Sequence, residues 1–152
     1  MTEREQKIAA KVAQFAGMAE SDVAAALNAP DNTLPKKRVD VGTYDAREIL
    51  LSTGEWAAVV VTAENTQAPQ QVRGACIVLR DAIMQLHIIR ASVPAIYDAT
   101  ALLLDRLVLA QILTNDTRNA MMSRADVDQS WADIEGVGEV TIRDVGIARG
   151  NA

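Results

Sequence analysis

The chain has 152 residues, 49% of them apolar and 23% charged, and a formal net charge of −5. This is a globular composition of about one-domain size, without the polar excess of a disordered chain. One Cys and one His exclude an intramolecular disulfide and a Cys/His zinc cage. Aromatic residues are only 3%, so the core has to be built from Ala, Val, Ile and Leu. An acidic chain is not steered as a whole toward nucleic acid, whose phosphates repel it.

Helix signals dominate in chain order. Thr2-x-x-Glu5 is a capping box, and Ile8, Val12, Phe15 and Ala16 then share one face up to a stop at Gly17. Ser21 can cap a short second helix that Pro30 ends. Residues 1–29 therefore read as a mobile N-terminal helical hairpin. Residues 30–43, with Pro30, Pro35, Gly42 and the basic run Lys36-Lys37-Arg38, read as a polar connector. Residues 44–152 read as the helical body. There, Asp45-x-x-Glu48 opens a helix stopped at Gly54, and Glu55 to Glu64 forms a neighbour around Trp56. Pro69 starts a long helix over 69–89, and Ser92 caps another over 93–113. Thr114 or Asn115 caps a short helix to about Met122, residues 127–134 form another around Trp131, and Thr141 with Asp144 caps a last helical turn. The expected fold is all-α, a compact helical bundle of six to eight helices with two long central ones.

Those two long helices carry the main inference. Ala75-Cys76-Ile77-Val78-Leu79 and Ala101-Leu102-Leu103-Leu104 are apolar on every side. A helix apolar all round is expected to be buried all round. Where the neighbouring helices are too few to cover it, the remaining face has to meet another copy or a partner. The stretch from Val93 to Leu113 is interrupted by Asp98, Asp105 and Arg106, which argues against a membrane span.

Signals for chemistry are sparse. The spacing Ala13, Gly17, Val23, Leu27 resembles the helix–turn–helix of bacterial repressors. Its reading helix would present Glu20, Ser21, Asp22, Ala24, Ala25 and Asn28, and the two acids have the wrong sign for phosphate. Lys36, Lys37 and Arg38 form a basic cluster that could meet a phosphate or an acidic partner. His87 lies on the expected long helix with no orienting carboxylate and nucleophile in helical register, and Cys76 reads as a small buried hydrophobe. Asp126, Asp128, Asp133, Glu135 and Glu139 lack the order of a calcium loop. Trp56 and Trp131 are candidate contact anchors or lids over a helical core. No catalytic, cofactor or metal residues are expected. The candidate interaction residues are Trp56, Trp131, Lys36, Lys37 and Arg38.

From Leu104 onward the chain has a cadence: Leu104-Asp105-Arg106-Leu107, Leu113-Thr114, Thr117-Arg118, Met121, Ser130-Trp131-Ala132, Gly136 or Gly138, then Val140-Thr141, Asp144-Val145 and Ala148-Arg149. This resembles the C-terminal part of small proteins of tailed bacteriophages that are encoded among structural and tail genes. The stretch Gly54-Glu55-Trp56-Ala57 fits the same likeness. The resemblance implies a non-enzymatic structural or assembly role in the virion or host cytoplasm. Its implied partners are other phage structural proteins or further copies of the chain, with no cofactor. A helix–turn–helix DNA-binding or anti-host regulatory protein is the alternative.

Overall fold

The structure, a computed structural model, describes residues 1–151. In chain order, α1 is Glu3–Val12, a 3-10 turn follows at Ala13–Phe15, and α2 is Glu20–Asn28. Two short strands come next, β1 (Lys37–Arg38) and β2 (Val41–Gly42). They precede α3 (Thr43–Thr53), α4 (Glu55–Glu64) and α5 (Gln70–Gln85). β3 is Ile88–Ile89, α6 Pro94–Leu109, α7 Asn115–Ser123 and β4 Asp126–Val127. α8 (Trp131–Glu135) and α9 (Ile142–Ala148) complete the described chain. The fold is mostly helical, with 64% of residues in helix, so the all-α expectation holds. The described residues form nine α-helices where six to eight were expected, the last two only five and seven residues long.

Local signals set several helix ends. Thr2 Oγ1 accepts from Glu5 N at 3.1 Å, and Thr2 N donates to the Glu5 carboxylate at 2.6 Å. Ser130 with Asp133, and Thr141 with Asp144, repeat that reciprocal cap at α8 and α9. Gly17 (φ +87°) and Gly54 (φ +77°) stand in the left-handed region at the turns after α1 and α3. A side chain there would strain the backbone although nothing crowds it.

The chain divides into two units, and the division differs from the one read from sequence. One unit is Met1–Lys36 together with the segment from Asp128 onward. The other is Lys37–Val127. Residues 128–151 thus do not belong to a body beginning at residue 44. In the first unit, Ile8, Val12, Val23 and Leu27 pack against Ala132, Val137, Val140 and Val145. α9 lies on both α1 and α2, so the N-terminal hairpin is a packed half of a core and not a free appendage. Polar ties reinforce this return of the chain. Arg4 makes a bidentate pair with Asp144 at 2.9 and 3.0 Å. Asn28 exchanges hydrogen bonds with the Val140 backbone at 2.7 and 2.8 Å.

The second unit is built on α5, which packs against α3, α4 and α6. Leu50, Val59, Cys76, Ile83, Leu104 and Leu107 are fully buried there. The expected connector 30–43 holds strands: β1 pairs antiparallel with β4, and β2 with β3, setting Val41 opposite Ile89. This second ladder is why the helix expected over 69–89 stops at Gln85. Leu86 turns extended, and Thr43 N donates to His87 O at 3.0 Å. His87 accordingly lies beyond the helix and is exposed. The helix expected over 93–113 ends at Leu109, where Gln111 adopts φ +62° and both Ile112 N and Leu113 N turn back to Leu107 O. Ser92 does not cap it. Its side chain and backbone N–H both donate to Asp40, and Val93 takes the N-cap position.

The expectation that both long helices are buried all round fails. Only Leu104 and Leu107 of α6 are buried. Val78 and Met84 of α5, and Leu102 and Leu109 of α6, face outward. Within this unit α6 packs chiefly on α5 and α7, which leaves much of its circumference uncovered.

Candidate functional site

An open concavity lies in the second unit, over α3, α4 and α5. Gly54 breaks α3 and starts α4 at once, which puts Trp56 in the first turn of α4. Trp56 and Val60 of α4, Arg47 of α3, and Arg80 and Met84 of α5 line a cleft of about 750 Å³, with Glu64 at its edge. An adjoining hollow of about 380 Å³ is bounded by Tyr44, Arg47, Glu48 and Leu51. Arg47 stands in the wall of both.

The cations of this wall are held in place. Arg47 Nη2 donates to Ile83 O at 3.0 Å, near the C-terminal end of α5 where carbonyls are left over. Arg80 Nε lies 3.0 Å from the Asp81 carboxylate. Tyr44 is 74% exposed and Met84 63%, while Trp56 is half-buried. Trp, Tyr, Met and Arg are the side chains enriched at protein contact surfaces. Neither Ser, Cys nor His lines the larger cleft. Chemically it offers an apolar slot beside fixed charges.

The structure separates the residues that sequence reading grouped as interaction candidates. Trp131 lies in the other unit, half-buried at the first position of α8, beside a hollow of about 260 Å³ shared with Lys7, Lys11 and Gln14. Two of the three basic residues are engaged within the chain, one by an acid and one by an aromatic ring. Lys36 Nζ pairs with Asp128 at 2.6 Å. Arg38 stacks over the Tyr97 ring at 3.7 Å, and Tyr97 donates its hydroxyl to Asp126 at 2.8 Å. That bond to a carboxylate holds the Tyr97 hydroxyl above its ordinary pKa, because the proton is shared with an anion. Lys37 is exposed on β1. The carboxylates that looked like a group in sequence are dispersed in the same way, Asp126 to Tyr97, Asp128 to Lys36 and Asp133 to the Ser130 cap.

In the N-terminal hairpin, Val23 and Leu27 pack inward as the helix–turn–helix spacing requires. The outward face of α2 differs from expectation. Ala24 is buried, and Asn28 is occupied by Val140, leaving Ser21, Asp22, Ala25 and Ala26 exposed. Cys76 is buried, and burial pushes its thiol pKa up. No helix among the described residues is long and apolar enough to cross a membrane.

Sequence reading found Trp56 but not Arg47, Arg80, Tyr44 or Met84. These residues meet only because three helices pack together, and no spacing along the chain signals that. The chain matches no known protein family model, no curated protein and no solved structure.

Proposed function

We propose that this is a non-enzymatic protein that acts through protein–protein contacts, as a structural or assembly component of a bacteriophage. The observation that carries the contact role is the outward apolar surface of the two long helices. Leu102 is 52% exposed and Leu109 86%, with Val78 and Met84 exposed on α5. Leu102 and Leu109 stand seven residues apart on one side of α6, and an exposed apolar row of this kind supports a contact surface. The Trp56 cleft supplies a second place where a partner side chain could seat. The phage assignment rests on the C-terminal cadence from Leu104 to Arg149.

The test is quantitative mass spectrometry of purified particles and of assembly intermediates from the host that carries this reading frame. The proposal expects the chain at a fixed ratio to one structural polypeptide, with that ratio falling when Leu102 and Leu109 are both changed to Glu. Absence of the chain from particles and intermediates alike would contradict it.

The helix–turn–helix alternative has the hairpin geometry of Val23 and Leu27 in its favour. Against it stand the exposed face of α2, which carries Asp22 and no basic residue, and the pairing of Lys36 with Asp128. A salt-sensitive gel shift abolished by K36A/K37A/R38A would turn the argument toward it.

A further inference from the structure

We propose that α6 pairs with α6 of a second copy of this chain, antiparallel, about a two-fold axis at Leu102. This deepens the contact role proposed above by naming the partner and the surface. Ala95, Ala99, Leu102, Arg106 and Leu109 are all exposed, and they recur at steps of four, three, four and three residues. That spacing keeps them in one stripe along a helix. The stripe lies opposite the buried edge formed by Leu104 and Leu107.

The occupant follows from how the stripe is arranged about its middle. Asp98 stands four residues before Leu102 and Arg106 four residues after it. Neither side chain has a hydrogen bond or ion pair among the described residues. A two-fold axis at Leu102 brings each to the same height as the other on the facing copy, about 6 Å from the axis. The long Arg106 side chain can then reach the partner's Asp98 across the seam. Ala95 and Leu109 stand seven residues to either side, so a small residue faces a large one at each end. Asp105 shares the acidic edge of the stripe, but Arg118 Nε neutralises it at 2.9 Å, which limits acid–acid repulsion across the seam. One helix face is at the small end of specific interfaces, so the dimer should be weak, with a Kd of about 10–100 μM.

Sedimentation equilibrium of the full chain between about 5 and 500 μM tests this. The expected result is a monomer–dimer equilibrium. L102E should abolish the dimer while leaving the circular-dichroism melt in place. D98R and R106D should each weaken association roughly tenfold, and the double variant D98R/R106D should restore it to within about threefold. L102C should form a disulfide-linked dimer under mild oxidation, which serves should L102E fold poorly. A chain monomeric throughout, a dimer indifferent to L102E, or a double variant no tighter than the single ones would each overturn the pairing. A monomeric chain that still accumulates in particles at a fixed ratio would overturn the pairing alone and leave the assembly role standing.

Discussion

Asp144→Asn probes the joint that ties the two ends of the chain into one unit. Asp144 accepts from both Nη atoms of Arg4, at 2.9 and 3.0 Å, and from Thr141 N and Oγ1, at 2.8 and 2.9 Å. Arg4 also donates to Val137 O and Glu139 O, so the pair fastens α1 to the turn before α9 as well as to α9 itself. An Asn can keep part of the cap but loses the charge that makes the bidentate bond strong. A charge-assisted bond of this kind contributes about 1.5–3 kcal/mol. The Arg4 side chain is 38% exposed, and solvent screening lowers the expected loss to about 1–2 kcal/mol. Trp131 lies in this unit and Trp56 in the other, so a Trp56→Phe background makes fluorescence report on the first unit alone. With a urea slope of about 1 kcal/mol/M for a unit this small, the Trp131 transition should move down by about 1–2 M. The pH dependence has a definite sign. Asp144 is held well below the ordinary carboxylate range, first by the Arg4 bond and then by the Thr141 cap. Its contribution is therefore complete above the unfolded pKa of about 3.9 and is lost as pH falls from there toward the native value. The gap between wild type and D144N should be constant from pH 7 to about pH 5 and shrink below pH 4. An unshifted Trp131 transition, or a gap that widens in acid, would refute this account of the joint.

Other substitutions test the second unit. Leu107→Ala removes a fully buried side chain from the core beneath α5 and α6 and should cost about 2–5 kcal/mol in a urea melt followed by Trp56 fluorescence in a Trp131→Phe background. Gly54→Ala places a side chain at φ +77° and should destabilise the same transition by about 1 kcal/mol, while Gly74→Ala, inside α5 with open space around it, should leave it unchanged or raise it slightly. Cys76 is buried with its thiol pKa pushed up by desolvation, so a thiol reagent at neutral pH should react only at the rate of opening and fully in urea. Rapid labelling of the native chain would show the α4–α5 core to be open.

What could be read from the sequence was what short-range chemistry decides. The Thr2–Glu5 and Thr141–Asp144 boxes, the Thr114 cap and the glycines at 17 and 54 act within a few residues, and each does in the structure what its type requires. Two local signals failed, since α2 starts at Glu20 behind Ala19 and not behind a Ser21 cap, and Ser92 is drawn to Asp40; the other failures were long-range. Two-residue strands carry no period, so nothing marked Val41 as the partner of Ile89, and the helix through Gln85 was read too long. Residues 128–151 return to α1 and α2 through Val140, Val145 and Asp144, a choice made by packing between segments more than a hundred residues apart. The candidate site divides along the same line. Trp56 stood out as a rare aromatic near a helix start, whereas Arg47 and Met84 join it only through the packing of three helices. The apolar character of 93–113 was visible, but which of its sides would be left uncovered depended on where α5 and α7 came to lie.

The outer face of α6, with Leu102 and Leu109 exposed, is the surface proposed to meet polypeptide. A photo-crosslinking amino acid placed at Leu109, with one at Glu3 as control, tests it inside cells that produce the full chain alongside its normal neighbours. The account predicts a discrete adduct with one protein, this chain or another, from position 109 and none from position 3. Equal, diffuse labelling from both positions, or no polypeptide adduct at 109, would contradict it.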